Sequence, residues 1–143
     1  MAEKVNVLTV REQDTVSRAV LLWLQGHVPD IEFEYLPPER SGMMLTSVSG
    51  AFKTAQYVDG SYSAQYQFGI MYRALPTSSG ERLDVETLLN EVGAWAEENP
   101  PELGEGMTVT DVERITPAAL VARDEDLTED YQILMTMKYE VEV

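Results

Sequence analysis

From Tyr62 to Ala74 every second residue is apolar or aromatic: Tyr62, Ala64, Tyr66, Phe68, Ile70, Tyr72 and Ala74. Ser63, Gln65, Gln67, Gly69, Met71 and Arg73 fill the positions between. A period of two puts the first set on one face of a β-strand and the second set on the other. Asp59-Gly60 stands just before this run and is a strong signal for a two-residue type I′ turn, which needs positive φ at both positions. A strand from Ser61 to Ala74 would reach roughly 45 Å at ~3.4 Å per residue, longer than strands usually run. A small domain cannot cover both ends of such a strand. The expectation is a long β-hairpin that projects or bends.

The end of the chain repeats the pattern. Tyr131, Ile133, Met135, Met137, Tyr139, Val141 and Val143 alternate with mostly polar residues. Two amphipathic helices accompany these strands, one ahead of the first run and one between the two. The first covers Val10 to Gln25, with Thr9 and Glu12 at capping-box spacing and Val16, Ala19, Val20, Trp23 and Leu24 on one face. Gly26 is expected to end it in the left-handed conformation. The second covers Glu81 to Glu98, with Val85, Leu88, Leu89, Val92, Trp95 and Ala96 as its buried stripe and Pro100-Pro101 as its stop. Ile31 to Leu36 reads as a half-buried strand closed by Pro37-Pro38, and Met43 to Val48 as another. Met107 to Ile115 is a strand with a broken alternation that suggests a bulge, and Ala118 to Ala122 a short separate one. The pattern implies an α+β fold: a mostly antiparallel sheet with two helices packed on one face. No internal repeat or low-complexity linker interrupts it, so one domain over residues 1–143 is expected.

Charge narrows the partners. Asp and Glu number 25 against 10 Lys and Arg, a formal net charge of −15. Nucleic-acid binding depends on Lys and Arg displacing counterions, so groove reading is disfavoured. An anionic membrane surface repels such a chain as well. Ala19 to Leu24 is the longest apolar run, far short of a membrane span, and the start shows no basic segment followed by an apolar one. The chain has no Cys, which fits a reducing cytoplasm and excludes disulfides and thiolate metal sites.

The residues that could carry chemistry form no recognisable machinery, and neither an enzyme nor a cofactor is expected. His27 is the one histidine and lies just past a helix end, where a solvated cation is favoured. Asp124, Asp126, Thr128 and Asp130 alternate like the start of a calcium loop, but the sixth and twelfth positions are Glu129 and Met135 instead of Gly and Glu. A solvated acidic turn is the better reading, and no metal site is expected. Carboxylate pairs such as Glu97-Glu98 and Glu102 with Glu105 arise readily among so many acids. Gly104-Glu105-Gly106 lacks the rest of a phosphate loop. The tyrosines say more. Tyr66 and Tyr72 suit the core, whereas Tyr57 and Tyr62, near the hairpin turn, are equally suited to strand packing or to anchoring a protein contact.

Lys53, Tyr57-Val58-Asp59-Gly60-Ser61, Gln65-Tyr66-Gln67-Phe68 and Arg73 resemble the central segment of tailed-phage minor capsid proteins. Glu81-Arg82-Leu83-Asp84, Leu89-Asn90-Glu91-Val92-Gly93-Ala94-Trp95, Pro101-Glu102-Leu103, Ala122-Arg123-Asp124-Glu125-Asp126 and Glu129-Asp130-Tyr131-Gln132 continue the likeness, over roughly residues 50 to 143. The resemblance implies a structural protein of the head–tail junction, foremost a tail terminator, a small α+β protein that caps the tail tube as a hexameric ring. Its implied partners are further copies of itself, the tail tube protein and a head-side connector protein. The implied location is the virion, with the host cytoplasm before assembly. DNA would pass through without specific binding. A head-side connector or stopper at the same junction is the nearby alternative, and a small acidic ligand-binding domain or enzyme a remote one. On this reading Tyr57, Asp59, Gly60 and Tyr62 meet the next subunit. Glu91, Glu97, Glu98 and Glu102 are candidates for an acidic channel wall that DNA does not stick to.

Overall fold

The computed structural model describes residues 8–36 and 41–142. Pro37-Pro38, Val143 and the first residues lie outside them. In chain order the elements are α1 (Val10–Gln25), β1 (Glu32–Phe33), β2 (Gly42–Gln56), β3 (Tyr62–Ala74), α2 (Ser79–Glu98), β4 (Met107–Arg123) and β5 (Glu129–Val141). The strands form one sheet in the order β1-β2-β3-β5-β4. Every pairing is antiparallel except the short parallel one between β1 and β2.

The two alternating runs build the core together. Tyr66 lies opposite Met137, Phe68 opposite Met135 and Ile70 opposite Ile133. All six side chains are fully buried on one face. Both helices cover that face. Trp23 of α1 meets the ring of Phe68 edge-on at 6.5 Å and stacks on Trp95 of α2 at 5.4 Å. The Trp23 indole N–H donates to the Asn99 carbonyl at 2.8 Å, which satisfies its one donor at the helix junction. The fold is therefore α+β, with a mostly antiparallel sheet and two helices on one side.

The β2–β3 hairpin is as long as the alternation implies. β5 runs beside β3 over its whole length, from Tyr62 opposite Val141 to Ala74 opposite Glu129. Matched strand lengths thus solve the covering problem that a strand of this length poses. β2 is much longer than the expected Met43 to Val48. A bulge between Ser47 and Gly50, with Gly50 at φ 68°, lets it bend and continue to Gln56. β4 is one strand of 17 residues where two were expected. Four register shifts accommodate the broken pattern, one of them spanning Pro117 between Thr116 and Ala119.

The short strand at the other edge is a correction. Only Glu32–Phe33 is extended, and Ile31 alone of the expected apolar set is buried. Glu34 sits at φ 56°, which breaks the strand. Its carboxylate then accepts from the Ser47 N–H at 2.8 Å and from the Thr46 hydroxyl.

Helix ends also differ in detail. Thr9 caps α1 by accepting from the Glu12 N–H at 3.1 Å. Gly26 is not left-handed: at φ −64° it continues the right-handed path, and Val28 N–H donates to the Leu24 carbonyl at 2.7 Å. Ser78 caps α2, so this helix starts two residues before the expected Glu81. Its buried face is Leu89, Val92, Gly93 and Ala96, while Leu88 stays 38% exposed. Gly93 explains the rotation. A Cβ there would lie 2.7 Å from Arg114 Cδ and 3.1 Å from Ile133 Cδ1, so a bare backbone lets α2 settle on β4 and β5.

Candidate functional site: the hairpin tip and the surfaces around it

The tip of the β2–β3 hairpin is held by backbone hydrogen bonds. Tyr57 N–H donates to the Ser61 carbonyl at 2.8 Å, and Gly60 N–H donates to the Tyr57 carbonyl at 3.1 Å. Gly60 has φ 92°, whereas Asp59 is not in the left-handed region. The connection is therefore the three-residue loop Val58-Asp59-Gly60 with glycine at its left-handed position, and not a type I′ turn. The Asp59 carboxylate accepts from the Ser61 hydroxyl and from its N–H at 3.0 Å. Those bonds hold the carboxyl below its ordinary range. Asp59 and Gly60 thus shape the turn. Tyr57 is 47% exposed and Val58 is wholly exposed, so the rigid turn presents two apolar side chains to solvent.

Tyr62 has a different place. It points to the helix-covered face, where its hydroxyl and that of Tyr139 (at 2.9 Å) both donate to the Glu12 carboxylate. Burial, then the bond to that carboxylate, pushes Tyr62 up. Burial and the Glu12 charge do the same for Tyr139. Lys53 Nζ lies 4.5 Å from the centre of the Tyr62 ring. Glu12 therefore joins the start of α1 to β3 and β5. Capping-box spacing signalled only its local role.

The β4–β5 loop repeats the geometry of the tip without glycine. Asp124 N–H donates to the Thr128 carbonyl at 2.9 Å, and Leu127 N–H donates to the Asp124 carbonyl at 3.0 Å. Leu127 takes the left-handed place at φ 71° and is 77% exposed. A side chain there costs about 1–2 kcal/mol. Leu127→Gly is expected to stabilise the fold by about 1 kcal/mol, once the extra freedom of glycine in the unfolded chain is deducted. Urea denaturation with a raised midpoint checks this.

Just past that loop the acids part company. Asp124 and Asp126 are exposed and accept hydrogen bonds from Thr128. Glu129 and Asp130 are buried, which corrects the expectation of a solvated turn. Asp130 takes both ends of the Arg73 guanidinium, at 2.8 and 3.0 Å. Glu129 accepts from Arg82 at 3.0 Å, from Tyr131 at 2.7 Å and from Arg123 at 2.9 Å. These partners bring its carboxyl down from the usual 4.5 to about 2, with Arg82 the foremost cause. The cluster ties the start of α2 to the β4–β5 hairpin. The acids here are engaged with arginines and hydroxyls. Among the described residues no group of three or more His, Cys, Asp or Glu side chains is arranged to hold a metal ion.

The four wall candidates are not equivalent. Glu91, Glu98 and Glu102 are exposed, and Glu91 and Glu98, seven residues apart, share one side of α2. Glu97 is paired with Arg114 at 3.0 Å and also accepts from the Arg114 N–H. His27 is exposed but stacks on Trp95 at 4.2 Å. It extends the aromatic row between the helices.

Helix and loop side chains seal parts of both sheet edges. Gln13 bonds both the N–H and the carbonyl of Ala51 on β2, at 3.1 and 2.7 Å, and so imitates a neighbouring strand. Glu34 takes Ser47 N–H on the same edge. On β4, Glu97 takes Arg114 N–H and Asn90 takes Ala118 N–H at 3.0 Å. Such plugs oppose strand addition along those stretches. An open cleft of about 550 Å³ near β1 is lined by Val28, Asp30, Glu32, Met43, Tyr72 and Leu88 among others. It gathers apolar walls and two acids with no convergent constellation.

Among the described residues no helix is long and apolar enough to cross a membrane. No protein-family model matches the chain, and comparison with curated proteins returns no match.

Proposed function

We propose that this chain is a structural assembly protein of a tailed-phage particle: a tail terminator that closes as a ring on the tail tube, joins it to the head-side connector and lets DNA through. The observation that carries the reading is the hairpin. Neither β2 nor β3 contains an Asp or Glu, in a chain with 25 of them. The hairpin ends in an exposed, rigidly turned Tyr57-Val58. Copies that each carry −15 repel one another, so they meet best where the charge is absent. A braced apolar tip is a suitable contact for closing a ring of heterologous interfaces. Exposed Glu91, Glu98 and Glu102 remain available for an acidic channel wall. Glu97 suits it less, because Arg114 offsets its charge. The resemblance of residues 50 to 143 to phage minor capsid proteins supports the same assignment. On this account the working location is the virion junction, after synthesis in the host cytoplasm.

Purified protein mixed with purified tail tubes tests the reading by negative-stain electron microscopy. Rings capping tube ends are expected, more of them at 0.5 M than at 0.05 M salt, because the Debye length falls from roughly 14 Å to about 4 Å and screens the repulsion. Tubes left uncapped at every salt concentration would contradict it.

A further inference from the structure

Among the described residues no helix packs on the sheet face opposite α1 and α2, and the proposed ring leaves open what each hairpin tip lands on. We propose that the tip of one copy seats on the outer sheet face of the next, over the centre of β2, β3 and β5. This rests on the ring reading and goes beyond it by naming the receiving surface.

Three observations carry the inference. The first is charge. The outer residues of β2 and β3 include Phe52, Gln65, Gln67 and Met71, and β5 has no acid between Asp130 and Glu140. The ionic groups stand at the margins: Arg73 pairs with Asp130 at 2.8 Å and Lys138 with Glu113 at 3.7 Å, Glu34 at the β2 edge is held by Thr46 and Ser47, and Glu140 is exposed near the end of β5. An acid-rich second copy can approach this platform without meeting concentrated like charge. The second is order. The Ser49 hydroxyl donates to Gln67 at 2.9 Å, and Thr54 and Ser63 hydroxyls are 3.0 Å apart. These pairs fix the polar side chains before contact, which lowers the entropy cost of docking. The third is size. β3 has 13 residues, and three strands ~4.8 Å apart span about 44 by 14 Å, on the order of 600 Å². The platform is therefore wide enough to receive the two-residue tip of a neighbour at its centre. The arriving side chains, Tyr57 and Val58, are adjacent apolar residues that the monomer leaves exposed at the end of the hairpin. Asp59 beside them already has its Ser61 partners and needs none from the neighbour.

The test uses the full chain with a photo-crosslinking p-benzoylphenylalanine in place of Val58. Isotope-labelled and unlabelled copies are mixed on tail tubes in 0.5 M salt. Inter-copy crosslinks mapping to residues 42–56, 62–74 or 131–139 are the expected result. Inter-copy crosslinks to α1 or α2 would overturn the proposal and leave the ring standing. Crosslinks only to the tube or another protein would overturn the proposal and the tip-mediated ring contact with it. Gln67→Glu gives an independent readout. It keeps the acceptor for Ser49 but places a charge at the centre of the platform. Copy–copy association is expected to weaken by about tenfold or more, with an unchanged melting temperature. Unaltered association of this folded variant would count against the assignment.

Discussion

A Glu129→Gln protein is expected to unfold about 2–3 kcal/mol more readily than the parent at pH 7, with a difference that narrows as the pH falls from 4.5 toward 2. Removing one charge from a buried, hydrogen-bonded group strands its partners, which costs about 3–5 kcal/mol when all are buried. Arg82 is 39% and Arg123 60% exposed, and water screens part of that loss. The pH dependence follows from the depressed carboxyl. Glu129 titrates near 4.5 in the unfolded chain and at about 2 in the folded one. Its stabilisation is fully present above 4.5 and is lost as the pH drops through 2. Urea titrations of parent and variant between pH 7 and pH 2 measure the gap directly. A gap that stays constant over that range would show that the carboxamide acts through packing instead of charge. The location adds a consequence, because Glu129 holds the start of α2 to the β4–β5 hairpin. Hydrogen exchange of residues 79–84 and 123–129 should speed up first in the variant.

On the proposed function, Tyr57→Ala combined with Val58→Ser is expected to abolish capping of tail tubes and to leave the monomer as stable as the parent, within about 0.5 kcal/mol. Both side chains are exposed, and neither supports the turn, which rests on the backbone bonds of Tyr57, Gly60 and Ser61 and on Asp59. The two residues form the apolar end of the hairpin, and burying apolar area drives most protein association. Tyr62→Phe is the informative control. It keeps the ring and removes the hydroxyl that donates to Glu12. The loss of that partly buried bond should cost about 1 kcal/mol of folding stability and leave capping intact. Thermal melts and capping counts together separate the roles. Capping by the double variant, or loss of capping in Tyr62→Phe at full stability, would reverse the assignment of the two tyrosines.

The alternation at Tyr62–Ala74 and Tyr131–Val141 made the core legible, because most residues on the apolar period of two are buried by the sheet, with Tyr62, Tyr72 and Val141 only partly so. Helix α1 was legible from its apolar face and Thr9. Other features depend on contacts distant in sequence. Glu12 reads as a capping residue, yet its carboxylate is spent on Tyr62 and Tyr139, 50 and 127 positions away. Glu129 and Asp130 read as part of an acidic turn because nothing local marks Arg73 and Arg82 as their partners. The apolar period at Ile31–Tyr35 was overridden by Glu34, whose left-handed backbone turns its carboxylate to Thr46 and Ser47. Leu127 had no signal either, since left-handed places normally advertise themselves with Gly or Asn. At the tip, Asp59-Gly60 correctly marked a hairpin but not its loop length, because Gly60 alone supplies the positive φ. Tyr57 and Tyr62 look alike in sequence and differ in structure, one facing solvent and the other facing α1.

Electron microscopy of particles made when this gene is deleted tests the central claim most directly. The terminator account predicts overlong or irregular tails lying apart from DNA-filled heads. Tails of normal length beside heads that fail to join or that leak DNA would contradict it and assign the chain to the head side of the junction.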